Sequence, residues 1–477
     1  MSPALLLIGV LTYFALLLVL ARCVSHGSGA EGFYVGGRES PWPVVAFGMI
    51  GTSLSGVTFI SVPGSVAANG FTYLQIVIGQ VFGYAVIAFV LLPAYHRLRL
   101  ASIYGLLGER LGPAAQRLGS AYFILSRTLG ATGRLFLVVA VLHTLILQPL
   151  GLPFALGAAV VLAMILLYTV EGGVKALVWT DTLQTAGMLT GLIVCVALLW
   201  RPDALAQLDA AHLSRVWVGD PLSRDFSVKA LLAGMFIAIA MTGLDQEMMQ
   251  KSLSVARLRD AQKNLLVLAV LMLVVVAAFL LLGGLLTLFA REHGLAAGGD
   301  ALFPTVVMQY LPAWVQIVFV LALVSALLPS ADGALTALTA STCLDLLRVS
   351  KEDTRTRRRV HLGFAVLFLA LVLGFKALDS TSMIYLILKL AGYTYGPLLG
   401  LFAFALFTPR AVSATALVAV CVVAPLLCAV LDFMQPWGGY QIGLELLLLN
   451  GLLTWAGLWM AASARGKVAV PRSGSRE

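Results

Sequence analysis

The sequence predicts an all-α polytopic membrane protein with about 13 transmembrane helices. Of its 477 residues, 60% are hydrophobic and 11% are charged, against about 45–50% and about 25% in soluble globular chains. Apolar runs recur along the chain, and many approach the roughly 20 residues that a helix needs to cross a bilayer. This composition excludes an ordinary soluble enzyme, a nucleic-acid-binding domain and a disordered scaffold.

The predicted helices are apolar segments bounded by charged residues or by Gly and Pro. They are 4–22, 42–68, 71–95, 118–148, 153–169, 177–200, 229–249, 264–290, 313–346, 360–378, 381–407, 411–431 and 441–462. We expect one continuous bundle, and so a single domain over 1–477. The first segment is expected to be a retained helix and not a signal peptide, because Arg22 follows the apolar run and no basic residue precedes it.

The basic residues predict the orientation. With the N-terminus outside, five of the 31 Lys and Arg residues fall in outside connections, four lie within or at the edges of the spans, and the other 22 fall in cytoplasmic connections. Lys251 is among the 22. This asymmetry is the one that the positive-inside rule requires, and it places the C-terminal residues 463–477 in the cytoplasm.

Two spans carry polar groups at membrane depth. In the second span, residues 51–58 (GTSLSGVT) fit either a discontinuous helix, whose freed carbonyls bind a cation, or a helix contact made of small residues. In the ninth span, Pro329 removes a backbone donor and frees the carbonyl of Ser325. Ser330 and Asp332 add oxygen ligands of the kind that Na⁺ binds, so this span favours a functional site.

A tight cytoplasmic turn is predicted at residues 168–173, just before Asp181 at the start of the sixth span. Asp181 is either an interfacial cap on that helix or an ion ligand, and its spacing does not decide between the two.

Three of the four basic residues within or at the edges of the spans raise the question of a partner. Arg127 and Arg134 are seven residues apart and share a helical face. Arg127 is expected to snorkel towards the cytoplasm, whereas Arg134 needs an internal carboxylate, backbone carbonyls or an anionic substrate. Lys389 either pairs with an acidic residue such as Asp245 or contacts substrate.

Four motifs resemble the sodium:solute symporter family, which includes sodium-coupled sugar, proline, iodide, vitamin and sialic-acid transporters. The motifs are YTVEGGVKALVWTDTLQ (Tyr168–Gln184), TGLDQEMMQKSLSVARLRDAQKN (Thr242–Asn264), PSADGALTALTASTCLD (Pro329–Asp345) and KLAGYTYGPLLG (Lys389–Gly400). The resemblance implies a LeuT-type core of two inverted five-helix repeats over 42–407. It leaves an extra N-terminal helix at 4–22 and two C-terminal helices within 411–462.

The resemblance also implies cation sites. The shared Na⁺ site takes carbonyls at Gly51, Leu54 and Ala326 and hydroxyls at the positions of Pro329 and Ser330. Pro329 departs from the family pattern, because many members have Ser or Thr there, and one hydroxyl ligand is missing. The second Na⁺ site of some members corresponds to Asp181, Ser330, Asp332 and Gly333, where the extra carboxylate of Asp332 strengthens the site or carries a proton.

The implied solute cavity is lined by five of the core helices. Its candidate residues are Ser53, Ser55, Thr58, Gln75, Gln80, Arg134, Asp245, Lys389 and Tyr393. Arg134 resembles an arginine that holds the substrate carboxylate in sialic-acid carriers, which suggests a carboxylated solute such as a sialic acid, an amino acid or a monocarboxylate.

The expected function is Na⁺-coupled symport of a small organic solute by alternating access, in a monomer that crosses the inner (plasma) membrane several times. A proton-coupled carrier and a non-transporting solute sensor are the alternatives, and the sensor is disfavoured because the chain ends about 15 residues after the last predicted span. An enzyme is not expected, because Asp181, Asp245 and Asp332 have no His or Cys partners of the kind that catalysis recruits. We expect Na⁺ as the coupling ion, no organic cofactor, lipid contacts and no nucleic acid.

Overall fold

The computed structural model describes residues 2–25, 29–54, 56–223, 225–378, 382–434, 443 and 445–462, with side chains at all of these except 57, 378 and 382–392. The regular elements over this part of the chain are helices. In chain order they are α1 (Pro3–Ser25), α2 (Ala30–Val35), α3 (Trp42–Ser53), α4 (Gly56–Asn69), α5 (Tyr73–Arg97), α6 (Gly105–Leu111), α7 (Pro113–Leu147), α8 (Phe154–Leu199) and α9 (Ala204–Ala210). They continue as α10 (Ser227–Gly243), α11 (Gln246–Leu253), α12 (Leu258–Glu292), α13 (Leu302–Tyr310), α14 (Ala313–Leu346), α15 (Thr354–Leu378), α16 (Ser382–Phe407), α17 (Ala414–Phe433) and α18 (Leu446–Ala461).

Several of these helices have the length and composition of membrane spans. Over the described residues, eight are long and apolar enough to cross a bilayer, and the number is ten if two bent pairs, α3 with α4 and α10 with α11, each form one span. Large apolar side chains also face outwards, among them Phe82, Ile193 and Val274, at 59%, 65% and 60% exposure. Because so many helices have the length and composition of spans, the protein is a multi-pass membrane protein. The count of 13, the inverted repeat, the orientation and the single-domain boundary stay predictions.

One element, α8, covers two predicted spans, 153–169 and 177–200. Gly173 interrupts it with φ 49° and ψ −142°, a conformation open to glycine because it has no Cβ. A side chain there would also place its Cβ 2.5 Å from the Cα of Phe33.

The interruption at Gly173 reverses the chain. Tyr168 and Gln184 would be about 24 Å apart along one straight helix, yet both reach Oδ2 of Asp332, at 2.6 and 3.4 Å. The two halves of α8 therefore fold back on each other, and the predicted turn at 168–173 is a one-residue break at its last position.

The second predicted span is discontinuous. Helix α3 ends at Ser53, Leu54 has an extended backbone (φ −89°, ψ 99°), and α4 begins at Gly56. Of the two alternatives for residues 51–58, the broken helix is therefore the one observed.

A second break, which the apolar pattern does not predict, lies in the seventh predicted span. Helices α10 and α11 meet at a bend of 68° around Leu244 and Asp245. In the ninth span, by contrast, Leu328 keeps helical dihedrals (φ −63°, ψ −44°) directly before Pro329. The proline therefore frees a carbonyl within a helix that continues.

Candidate functional site

Six charged side chains lie together inside the bundle, and none is more than 5% exposed. This buried charge cluster consists of Arg127 on α7, Asp181 on α8, Asp245 and Glu247 at the start of α11, Lys251 on α11, and Asp332 on α14. Ionisable groups at membrane depth are costly and are retained where they pair or bind ligands. Four carboxyl groups and two basic groups therefore share one buried site.

Arg127 is a central cation of the cluster. Its Nε donates to Oε2 of Glu247 at 2.6 Å, its Nη2 contacts the same oxygen, and its Nη1 lies 3.7 Å from Oδ2 of Asp245. The expectation that Arg127 snorkels to the cytoplasm is therefore wrong. Two carboxylates hold the guanidinium inside the protein and compensate its charge.

Asp245 stands at the break between α10 and α11 and caps the second helix. Its Oδ1 accepts the backbone N–H groups of Glu247 and Met248, at 2.9 and 3.2 Å, as an N-cap carboxylate does. Its Oδ2 accepts the hydroxyl of Tyr395 at 2.7 Å. The partner suggested for Asp245, Lys389, has its side chain outside the described residues.

Lys251 is the second cation of the cluster. Its Nζ lies 2.6 Å from Oδ2 of Asp181, donates to Oγ1 of Thr52 at 2.8 Å, and lies 3.8 Å from Oε1 of Glu247. Its placement in a connection between spans was wrong, because Lys251 lies within α11 and its side chain is 1% exposed. Asp181 thus forms an ion pair with Lys251, and its Oδ1 has no hydrogen-bond partner among the described residues.

Asp332 is fully buried, and its neighbours within hydrogen-bond distance among the described residues are neutral donors and not cations. Tyr168 donates to its Oδ2 at 2.6 Å, Gln184 lies 3.4 Å from the same oxygen, and the N–H of Gly333 donates to its Oδ1 at 2.6 Å. Within the described part of the chain, no Lys or Arg lies within 4 Å of this carboxylate. Gly333 leaves room for Glu247, because a Cβ there would lie 2.4 Å from Oε1 of that residue.

The residues predicted for the shared cation site lie where α3 breaks and on α14. The N–H of Gly51 donates to Oγ1 of Thr185 at 3.0 Å, and a Cβ on Gly51 would lie 3.6 Å from Cγ of Pro329. Leu54, Ala326 and Ser330 are buried. The hydroxyl of Ser330 donates to the carbonyl of Leu327 at 2.9 Å, so its oxygen keeps lone pairs for another ligand.

The residues predicted for the solute cavity are dispersed. Thr58 and Gln75 line a cavity of about 270 Å³ together with Ser61 and Asp225. Gln75 is fully buried, and neither of its amide atoms has a hydrogen-bond partner among the described residues. Ser53 and Gln80 are half-buried on α3 and α5, and Ser55 lies outside the described residues.

Arg134 and Tyr393 have opposite environments. Arg134 is half-buried on α7, and no hydrogen bond or ion pair is seen for its guanidinium within the described ranges. The hydroxyl of Tyr393 donates to Asp432 on α17, and its carbonyl accepts from Asn450 at 3.0 Å. Tyr393 is thus tied to the C-terminal helices, and Tyr395, two residues later, is the tyrosine that joins the cluster.

Sequence reasoning missed Glu247 and Lys251 as members of one site. A signal was present, since Asp245, Glu247 and Lys251 occur within seven residues beside an apolar span, in one of the four motifs. Glu247 and Lys251 are also four residues apart, which places them on the same helical face. The polar partners Tyr168 and Gln184 carry no comparable signal, because their meeting at Asp332 depends on the reversal at Gly173.

Comparisons with known proteins agree with these observations. The model of the sodium:solute symporter family matches residues 33–422. The chain is 27% identical over 402 residues to the sodium/iodide cotransporter of Homo sapiens, covering 80% of this chain and 61% of that protein. It is 24% identical over 454 residues to the sodium/sialic acid symporter NanT of Aliivibrio fischeri, covering 86% of each. It is also 28% identical over 410 residues to sodium-coupled monocarboxylate transporter 1 of Mus musculus, covering 81% and 66%.

The fold is similar to that of solved transporters. A substrate-bound, outward-open Na⁺-coupled sialic acid symporter superimposes with a TM-score of 0.82 at 17% identity, over 96% of this chain and 98% of that one. Mhp1, a nucleobase-cation-symport-1 family transporter, gives a TM-score of 0.50 at 14% identity, over 91% and 95%. The resemblance drawn from the four motifs is confirmed. Because the family model matches residues 33–422 of 477, this chain belongs to the sodium:solute symporter family, whose members are transporters and not enzymes.

Proposed function

We propose that this protein is a Na⁺-coupled secondary active symporter that imports a small carboxylated solute across the cell's inner (plasma) membrane. The observation that carries the proposal is a bundle interior with two distinct parts, one rich in oxygen ligands and one with a basic side chain. One part is a break in α3 facing α14, and the other is a guanidinium, that of Arg134, with no partner among the described residues.

The coupling ion is proposed to bind at the break between α3 and α4, called the α3 break below. Carbonyls of Gly51, Leu54 and Ala326 and the hydroxyl of Ser330 provide oxygen ligands of the kind that hard cations bind. Pro329 packs beside Gly51 and supplies no hydroxyl. The carbonyl of Ser325, which has no helical donor because Pro329 lacks an N–H, is proposed to take the place of that ligand.

The solute is proposed to bind through a carboxylate to Arg134. A planar guanidinium can bind a carboxylate through two parallel hydrogen bonds, and a half-buried one without a partner is costly unless a ligand compensates it. Thr58 and Gln75, which line one cavity, are proposed to contact polar groups of the solute. Binding of the ion and of the solute would favour the same closed state, which couples their affinities reciprocally.

Purified protein in proteoliposomes tests this function. A thermal-shift screen of carboxylates, amino acids and sugars, with and without Na⁺, first identifies a solute, and its radiolabelled form is then used for uptake. We expect an inward Na⁺ gradient to drive uptake, and Arg134→Ala to weaken solute binding about 10–100-fold. Arg201→Ala, at an exposed ion pair with Glu292, should leave binding unchanged.

Two outcomes would reject the proposal. Uptake that ignores the Na⁺ gradient would remove Na⁺ as the coupling ion, and wild-type affinity in Arg134→Ala would remove Arg134 from the solute site.

A proton-coupled carrier is the second candidate, because Asp332 is fully buried without a cation within 4 Å in the described part of the chain. A carboxylate in that environment is stabilised by taking up a proton. In this case an inward pH gradient would drive uptake without Na⁺, and Asp332→Asn would abolish that drive. Uptake that requires Na⁺ and is unaffected by the pH gradient would reject this candidate.

A further inference from the structure

The ammonium of Lys251 has the surroundings of a bound cation. Its Nζ contacts a carboxylate oxygen of Asp181 at 2.6 Å and the hydroxyl of Thr52 at 2.8 Å, with a second carboxylate, that of Glu247, at 3.8 Å. All of these oxygens belong to side chains that are at most 4% exposed. A lysine ammonium is a compact point charge with three donors, and here it is directed at oxygens from three different helices, α3, α8 and α11.

This arrangement leaves little capacity for a mobile cation at Asp181. Oδ2 of Asp181 already accepts from both Lys251 and Thr52, and only Oδ1 is without a partner in the described residues. A second cation on the same carboxylate would lie within a few ångströms of the ammonium and be repelled by it, since screening is weak in the protein interior.

We propose that Lys251 is the resident cation of the Asp181 position, so that the transporter uses one mobile Na⁺ per cycle and not two. The inference rests on the proposed Na⁺ coupling at the α3 break and assigns the charge at Asp181 to the protein itself. A lysine tethered on α11 joins that helix to α3 and α8 permanently, whereas a mobile ion would join them only while bound.

The number of bound Na⁺ ions tests the proposal. Equilibrium binding of ²²Na⁺ to purified full-length protein should saturate at about one ion per chain in the wild type. Lys251→Met removes the ammonium and leaves Asp181 without a cation, whereas Glu247 keeps Arg127, so we expect about one additional Na⁺ per chain. Lys251→Arg retains the positive charge and is the matched control, and the double variant Lys251→Met/Asp181→Asn should lose the additional ion. A purely structural ion pair would lower stability in the single variants without changing the number of ions bound.

Asp181→Asn provides a second readout that does not depend on the folding of Lys251→Met. We expect its Na⁺ dissociation constant to stay within about twofold of the wild type, even though its melting temperature falls. Saturation of the wild type at two Na⁺, a tenfold weaker Na⁺ affinity in Asp181→Asn, or an unchanged ion number in a folded Lys251→Met would each overturn the proposal.

Failure of the proposed function has a different signature. If Na⁺ coupling at the α3 break is wrong, the wild type binds no Na⁺ and Ser330→Ala changes nothing. Lys251→Met would still gain an Asp181-dependent Na⁺ in that case, which would support the assignment of the resident cation.

Discussion

Replacing Arg127 with Met removes a guanidinium that is 5% exposed and contacts two fully buried carboxylates, Glu247 and Asp245. Among the described residues, Glu247 then retains only the ammonium of Lys251, at 3.8 Å. Removing one partner of a buried ion pair costs about 3–5 kcal/mol, because the remaining charge is uncompensated. We therefore expect Arg127→Met to lower the free energy of unfolding by about 3–5 kcal/mol.

A double-mutant cycle isolates the pair. Arg127→Met, Glu247→Gln and the combined variant are unfolded by denaturant in one detergent, and the free energy of unfolding is followed by intrinsic fluorescence. Replacing both partners removes the uncompensated charge, so the combined variant should lose less than the sum of the single losses, with a coupling of about 2 kcal/mol or more. The exposed pair Arg201–Glu292, with side chains 47% and 38% exposed, is the control, and its cycle should give about 0.2–1 kcal/mol.

A coupling between Arg127 and Glu247 no larger than that of the exposed pair would refute this reasoning. It would mean that water reaches the cluster and compensates Glu247 when the guanidinium is absent.

Two other substitutions probe the backbone and the ion site. Gly173→Ala would add a Cβ 2.5 Å from the Cα of Phe33 and force alanine into a strained backbone conformation that alone costs about 1–3 kcal/mol, so we expect a clear fall in melting temperature. The control Gly130→Ala, whose added Cβ would have no atom within 4 Å, should not lower it. Equal melting temperatures of the two variants would contradict the tight packing at Gly173. Pro329→Ser supplies the missing hydroxyl, and we expect the Na⁺ concentration for half-maximal uptake to fall about 2–10-fold; unchanged Na⁺ activation would remove position 329 from the ion site.

The sequence predicts the membrane class and the family because both depend on local patterns. Long apolar runs and four motifs in order are readable without a structure, and the glycines and hydroxyls at 51–58 indicate the broken helix that the structure contains. The break at Leu244 and Asp245 has no such signal. Asp245 caps α11 by accepting the backbone N–H groups of Glu247 and Met248, and this role is visible only once the backbone is known.

Charged partners are harder to predict than charged positions. The positive-inside count assigned Lys251 to a cytoplasmic connection, and snorkelling would place the head group of Arg127 in water, but both side chains are buried. Their burial depends on carboxylates from other helices, Asp181 on α8 and Glu247 on α11, which pattern reading cannot pair. Arg134 has no ion-pair partner among the described residues, and the expectation that a solute supplies one stays a prediction.

The ion pair between Lys251 and Asp181 also bears on the energy available to the transporter. If the ammonium is fixed in the protein, a monocarboxylate that enters with one Na⁺ moves no net charge across the membrane. The membrane potential, worth about 2.3 kcal/mol per charge at 100 mV, would then contribute nothing to accumulation, and the Na⁺ concentration ratio alone would set its limit. A single buried lysine would thus decide whether uptake is electrically silent.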